Sequence, residues 1–279
     1  MLREGVKIYF DFPDSLENRV WLSEGTESAK DCEFVDYIYN DLAIKPKKPW
    51  RLATNEELKI LCTTQKPSED AYSNHIGITK LPSSLVSELQ SLGVSKLLSK
   101  EDILSFYKTQ EYEKSFLILD NYITKYSNSN HKISYYKYFL DQPNLDVVTI
   151  NYGNNVKTRI GLHIDNRDQL SIYDAEAGRS LFLINLSSEN RYFLFVNQTS
   201  KNIIDWIENK NGCKLPKDYT AEFINKDFSD YFPSYNVVKL KIKPFEAYIA
   251  PNENIIHDGC TEGCINPSLR FFAGGVFTL

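Results

Sequence analysis

No stretch of the sequence approaches the roughly 20 consecutive apolar residues that a membrane-spanning helix needs, so no membrane association is expected. Cysteine is sparse. Cys32, Cys62, Cys213, Cys260 and Cys264 are odd in number and scattered in spacing, which argues against the disulfide framework of a small secreted domain and for reduced thiols. Positive charge is also in short supply: 32 Lys and Arg stand against 37 Asp and Glu, a net charge of -5. A broad cationic surface for a phosphate backbone is therefore excluded, and nucleic acid is not an expected partner. The opening segment, Met1 to Asp11, is too short and too charged for a secretory signal, so a cytoplasmic location is expected. Internal repeats and low-complexity tracts are absent as well.

What is there reads as globular. Hydrophobic residues make up 42% and include 16 Phe and 18 Tyr, enough in a 279-residue chain to bury a sizeable core in one elaborated domain or two closely packed ones. The expected class is α+β. Residues 1–144 read as a mainly helical region after an opening strand at Val6 to Phe10. Thr54 ahead of Glu56 and Glu57 predicts a capped helix start, and Ser99 ahead of Glu101 and Asp102 predicts another. A further helix is expected between Pro82 and Gly93. From Tyr112 to Tyr126, apolar residues recur at three-and-four spacing, as on a helix that lays one face on a sheet.

Residues 145–279 change texture to short β-rich runs between polar turns, interrupted by an insertion at about 198–235. The strands expected are close to 146–152, 158–164, 180–186, 192–197, 237–242, 247–250, 255–258 and 269–277. Eight such strands suit a jelly-roll or small barrel that closes on itself and buries its edges. Aromatic residues of the insertion, from Tyr219 to Tyr235, are candidates to cover the barrel mouth or simply to fill core.

Within Gly161-Leu162-His163-Ile164-Asp165-Asn166 an imidazole and a carboxylate lie two residues apart on an expected strand, so both project to one face. That face offers two ligands to a divalent metal, and His257, at the end of a short apolar run, is a third. Two imidazoles and one carboxylate occupy one face of an octahedral iron(II) and leave three positions open. Arg270 follows, in the otherwise apolar Ser268-Leu269-Arg270-Phe271-Phe272. A buried guanidinium there needs an anionic partner.

In this order and on these strands, His163, Asp165, His257 and Arg270 resemble the pattern of the iron(II)- and 2-oxoglutarate-dependent dioxygenases. The resemblance covers roughly Leu145 to Leu279. It implies a double-stranded β-helix (jelly-roll or cupin-like) core with iron(II) on His163, Asp165 and His257. It also implies that Arg270 pairs with the far carboxylate of 2-oxoglutarate. Tyr152, before Gly153, resembles a tyrosine that contacts the same carboxylate in some members. The implied activity couples O2-dependent breakdown of 2-oxoglutarate to succinate and CO2 with hydroxylation of a small molecule, an amino acid or a peptide-like metabolite. Asp165 stands where related halogenases have a small non-ligating residue, which favours hydroxylation over halogenation.

Two other functions fit the same residues: a cupin-type metal dioxygenase that does not use 2-oxoglutarate, and a non-catalytic barrel-shaped binding protein. Cys260 and Cys264 near His257 supply too few ligands for a structural zinc site. His75 and His131 lie in polar segments and read as solvated, Arg159 and Arg167 as surface charges or contacts to an acidic substrate group, and Asn185 as a co-substrate contact or a local hydrogen-bonding residue. Oligomeric state is not legible.

Overall fold

The computed structural model describes residues 2–14, 16–30, 38–128, 131–151 and 158–279. Strands in the first half are β1 (Lys7–Phe10), β2 (Val20–Leu22), β3 (Thr26–Ser28), β4 (Ile38–Pro46), β5 (Arg51–Leu52), β6 (Cys62–Thr63), β7 (His75–Lys80) and β8 (Ser134–Asp141). Those in the second half are β9 (Ile150–Asn151), β10 (Thr158–Gly161), β11 (Ser180–Asn185), β12 (Arg191–Thr199), β13 (Val238–Ile242), β14 (Glu246–Ala250), β15 (Ile255–Cys260) and β16 (Ser268–Gly275). The α-helices are α1 (Asn55–Leu61), α2 (Ser83–Ser91), α3 (Lys100–Phe106), α4 (Gln110–Thr124), α5 (Ser200–Asn211) and α6 (Ala221–Tyr231). Their starts follow from local chemistry. Thr54 accepts the Glu57 amide while Glu57 accepts the Thr54 amide, and Ser99 and Asp102 repeat this reciprocal cap on α3. Gly93, in the left-handed region at φ 84°, ends the α2 turn at no steric cost.

The strands form three sheets, and the class is α+β. Seven strands run in the order β6-β1-β7-β14-β11-β16-β8, five in the order β15-β12-β13-β2-β5, and four in the order β3-β4-β10-β9. From β11 onward the chain crosses between the first two sheets: β11 in the larger, the β12–β13 pair in the smaller, then β14, β15 and β16 alternately.

The larger sheet is buried on both faces, and period two sorts its side chains between two cores. Phe182, Ile184, Ala247, Ile249, Leu269 and Phe271 join Leu119, Tyr122 and Ile123 of α4 in one cluster. Leu181, Leu183, Tyr248, Ala250 and Phe272 point the other way and meet Phe193, Phe195 and Leu240 of the five-stranded sheet. The amphipathic face read from Tyr112 to Tyr126 thus lies on the sheet as the spacing predicts. The insertion contributes α5 and α6, whose Ile203, Ile207, Ile224 and Phe228 are fully buried in the inter-sheet core.

Residues 1–144 are not mainly helical. Eight strands arise there among the described residues; β1, β6, β7 and β8 widen the larger sheet, while β2 and β5 widen the five-stranded one. Several are two to three residues long, too short to show alternation. Some partners are remote in sequence, as where β2 pairs with β13, so no hairpin turn announces them. No helix among the described residues is long and apolar enough to cross a membrane.

Candidate metal centre

The two predicted histidine ligands are brought together by the backbone. The His163 amide donates to the His257 carbonyl at 2.9 Å and the His257 amide to the His163 carbonyl at 2.7 Å, an isolated antiparallel bridge. Directly opposed residues of such a pair project to the same face, and the two imidazole centroids lie 4.6 Å apart. Two residues on, the Asp165 amide donates to the carbonyl of Asn252 at 3.0 Å, which carries its carboxylate back to the rings. Gly161 makes the approach feasible: at φ 69° a side chain there would be strained, and an added Cβ would sit 2.2 Å from the Ile44 carbonyl oxygen.

Nε2 of His163 lies 3.5 Å from Asp165 Oδ1, and Nε2 of His257 lies 3.9 Å from Asp165 Oδ2. One donor atom from each of the three residues falls within 4.8 Å of the others, the only such His, Cys, Asp or Glu group among the described residues. Two atoms each about 2.1 Å from one ion are at most about 4.2 Å apart, and each histidine's separation, to its own oxygen of Asp165, falls under that limit. Nδ1 of His163 lies 2.8 Å from the Gly161 carbonyl and Nδ1 of His257 lies 3.1 Å from that of Ile255. Protons held at Nδ1 would leave each Nε2 lone pair able to ligate a metal. Both rings are nearly buried and Asp165 is 13% exposed.

The electrostatics keep Asp165 ionised and His257 neutral, while His163 is drawn toward its charged form. Burial by itself disfavours charge on both His163 and Asp165, but their hydrogen bond and mutual attraction outweigh it. The His163 pKa moves up, and the Asp165 carboxyl, also near His257 and Arg167, falls well below the usual carboxylate range. For His257, burial and then the charge of His163 push the imidazole down from 6.5 to about 3. A depressed histidine contributes stability that is complete above its unfolded value and is lost as pH falls toward the folded one. The metal-free protein is therefore expected to weaken on acidification from about pH 6.5 toward 3, with His257→Asn flattening that dependence. His163, shifted upward, acts with the opposite sign on the alkaline side. Denaturant midpoints of both proteins across the window provide the check; parallel curves would contradict the role given to His257.

Arg270 projects to the inner side of β16 but is already paired. Its Nε lies 2.8 Å and its Nη2 3.0 Å from the two carboxylate oxygens of Asp141, and the guanidinium lies against the rings of Phe139 and Phe272. Arg191, 1% exposed, reaches the same carboxylate at 3.0 Å. Two guanidiniums share one carboxylate in a mostly buried cluster. The sequence reading missed Asp141 and Arg191; neither belongs to the metal pattern, and Asp141 reaches Arg270 through the pairing of β8 with β16, Arg191 from β12 of the five-stranded sheet.

Tyr152 lies outside the described residues, as does Cys32. Arg167 is placed beside the centre, 3.5 Å from Asp165 and stacked on Tyr136. Arg159 is no surface charge: it is fully buried and donates to the Val147 carbonyl. Asn185 bonds locally, to the carbonyls of Glu189 and Ile242. Cys260 and Cys264 are buried thiols and His131 is exposed. Asn252, unmarked by any motif, sets its Nδ2 2.8 Å from His257 Nε2. A groove of about 1210 Å³ between the β1–β2 segment and α1 has none of these residues in its walls, so it is not the pocket of this centre.

Comparison with protein-family models gives no match, and neither curated proteins nor solved structures yield a significant one.

Proposed function

We propose that the chain is a non-haem iron(II) oxygenase that uses 2-oxoglutarate, with His163, Asp165 and His257 as ligands and Arg270 as the co-substrate's anchor. The observation that carries this reading is the convergence of two Nδ1-anchored imidazoles and one ionised carboxylate on a common point. That donor set fits iron(II) and leaves positions for a chelating co-substrate. When bound, such an ion supplies oxygen activation, the chemistry that protein side chains do not perform. The chain's own part is to orient the groups around it and to exclude water, to which the α6 residues Ala221 and Ile224, lining a small cavity with Asp165, contribute.

A double-stranded β-helix core is part of the proposal. Support comes from β8-β16-β11-β14 lying as neighbours in one sheet, β15-β12-β13 in another, and the His163–His257 bridge joining the β10 run to β15. The substrate class we assign is a small molecule, an amino acid or a peptide-like metabolite, and the reaction a hydroxylation.

For the co-substrate, Arg270 offers a guanidinium whose fork Asp141 already occupies. The Arg191–Asp141–Arg270 cluster nonetheless holds two cations to one anion, a surplus that a second carboxylate neutralises. That same pairing favours a second reading, a cupin-type metal dioxygenase in which Arg270 is structural and 2-oxoglutarate is not used. Anaerobic titration with iron(II) and 2-oxoglutarate tests the first reading: a weak visible charge-transfer band and, in air, succinate formation are expected. Metal binding with neither band nor succinate would move the assignment to the second.

A further inference from the structure

We infer that Asn252 is a fourth protein ligand of the ion in the resting centre, through its side-chain oxygen. This rests on the metal reading of His163, Asp165 and His257. Asn252 sits in the turn between β14 and β15 and is 3% exposed. Its main chain is fixed independently of any ion: its amide donates to the Ala250 carbonyl at 2.9 Å, and its carbonyl accepts the Asp165 amide. The side chain is thereby aimed at the centre, with Nδ2 2.8 Å from Nε2 of His257. The other terminal atom, Oδ1, is buried without a hydrogen-bond partner among the described residues.

These features have one explanation in common. A buried amide oxygen without a donor is a polar group waiting for a partner. Turning the carboxamide by half a rotation exchanges Nδ2 and Oδ1 in the same volume, so the oxygen then stands about where the nitrogen does, 2.8 Å from Nε2. Two ligands at right angles, each about 2.1 Å from an ion, are about 3.0 Å apart, so that separation from Nε2 is one a neighbouring ligand would have. In the metal-free centre the same amide donates to the Nε2 lone pair and keeps the ring in its ligating tautomer. One end of the carboxamide thus has a partner in either state, the nitrogen on Nε2 without the ion and the oxygen on the ion with it. An octahedral resting ion would retain two open positions rather than three, so Asn252 would have to leave the ion before a bidentate co-substrate and dioxygen could both bind.

Manganese(II) alone is a suitable probe, because water-proton relaxation reports how many waters the bound ion holds. With Asn252 ligated the ion keeps two waters; Asn252→Ala should give three, raising the relaxivity of the bound ion about 1.5-fold. The affinity, read from the electron paramagnetic resonance of free manganese, should fall at least about 10-fold. Asn252→Asp restores an oxygen and should return both readings to the wild-type range, and it decides the matter if the alanine variant does not fold. Unchanged relaxivity in a folded Asn252→Ala protein, or an aspartate variant with an extra water, overturns the inference while leaving the metal centre intact. Wild-type protein that binds no manganese, or binds it equally well after His163→Ala, overturns the metal reading and this inference together.

Discussion

Asp165→Ala is expected to abolish metal retention and to reduce any 2-oxoglutarate turnover by at least about 10³-fold. The carboxylate is the only anion among the three donors, and it holds both sides of the centre: Oδ1 faces His163 and Oδ2 faces His257. Without it, two neutral imidazoles remain, and the divalent cation loses its charge-neutralising ligand. His163 also loses the group that raises its pKa, so burial then dominates and drives that imidazole toward the neutral form. The fold should persist, because the neighbouring backbone contacts, His163 to His257 and residue 165 to the Asn252 carbonyl, do not involve the carboxylate. Metal content after anaerobic iron(II) loading and gel filtration gives the first reading, and a circular dichroism melt of the metal-free protein the second. A folded variant that keeps stoichiometric iron would remove Asp165 from the ligand set.

Arg270→Ala should raise the 2-oxoglutarate concentration for half-maximal succinate formation by about 10²-fold or more and leave metal binding untouched. A charge-assisted hydrogen bond is worth about 1.5–3 kcal/mol, and a bidentate pair supplies two of them, which sets the scale. The variant has a structural route to survival: Asp141 keeps its ion pair with Arg191 when the other guanidinium is removed. Arg270→Lys retains charge without the fork and should fall between the two. Should oxidation proceed at an undiminished rate and without any 2-oxoglutarate requirement in both wild type and variant, the cupin-type reading takes over and the Asp141–Arg270 pair becomes a structural ion pair of the inner sheet face.

Sequence and tertiary structure divide this protein along a physical line. Local rules were legible. Thr54 and Ser99 cap their helices because a side-chain oxygen and an acid three residues on satisfy free amides within one turn. From β11 onward the strands lie close to where apolar runs and turns put them, because a strand buried on both faces must be apolar throughout, whereas the runs expected at 146–152 and 158–164 shorten to Ile150–Asn151 and Thr158–Gly161 among the described residues. His163 and Asp165 were expected to share a face by the period two of a strand, but β10 ends at Gly161, and they meet beyond it through the bridge to His257 and the Asp165–Asn252 hydrogen bond; His257 was marked by residue type and order alone. Pairing between distant segments was beyond local rules: β2 against β13, the bridge that sets His163 opposite His257, Asp141 claiming Arg270, and Asn252 turned onto the His257 ring. Each is a contact between residues whose neighbours along the chain carry no trace of the partner. Residue order therefore determined which side chains have ligating chemistry. Only the packed sheets decided that they meet, because convergence depends on strand order and register, which the chain acquires by burying its two cores together.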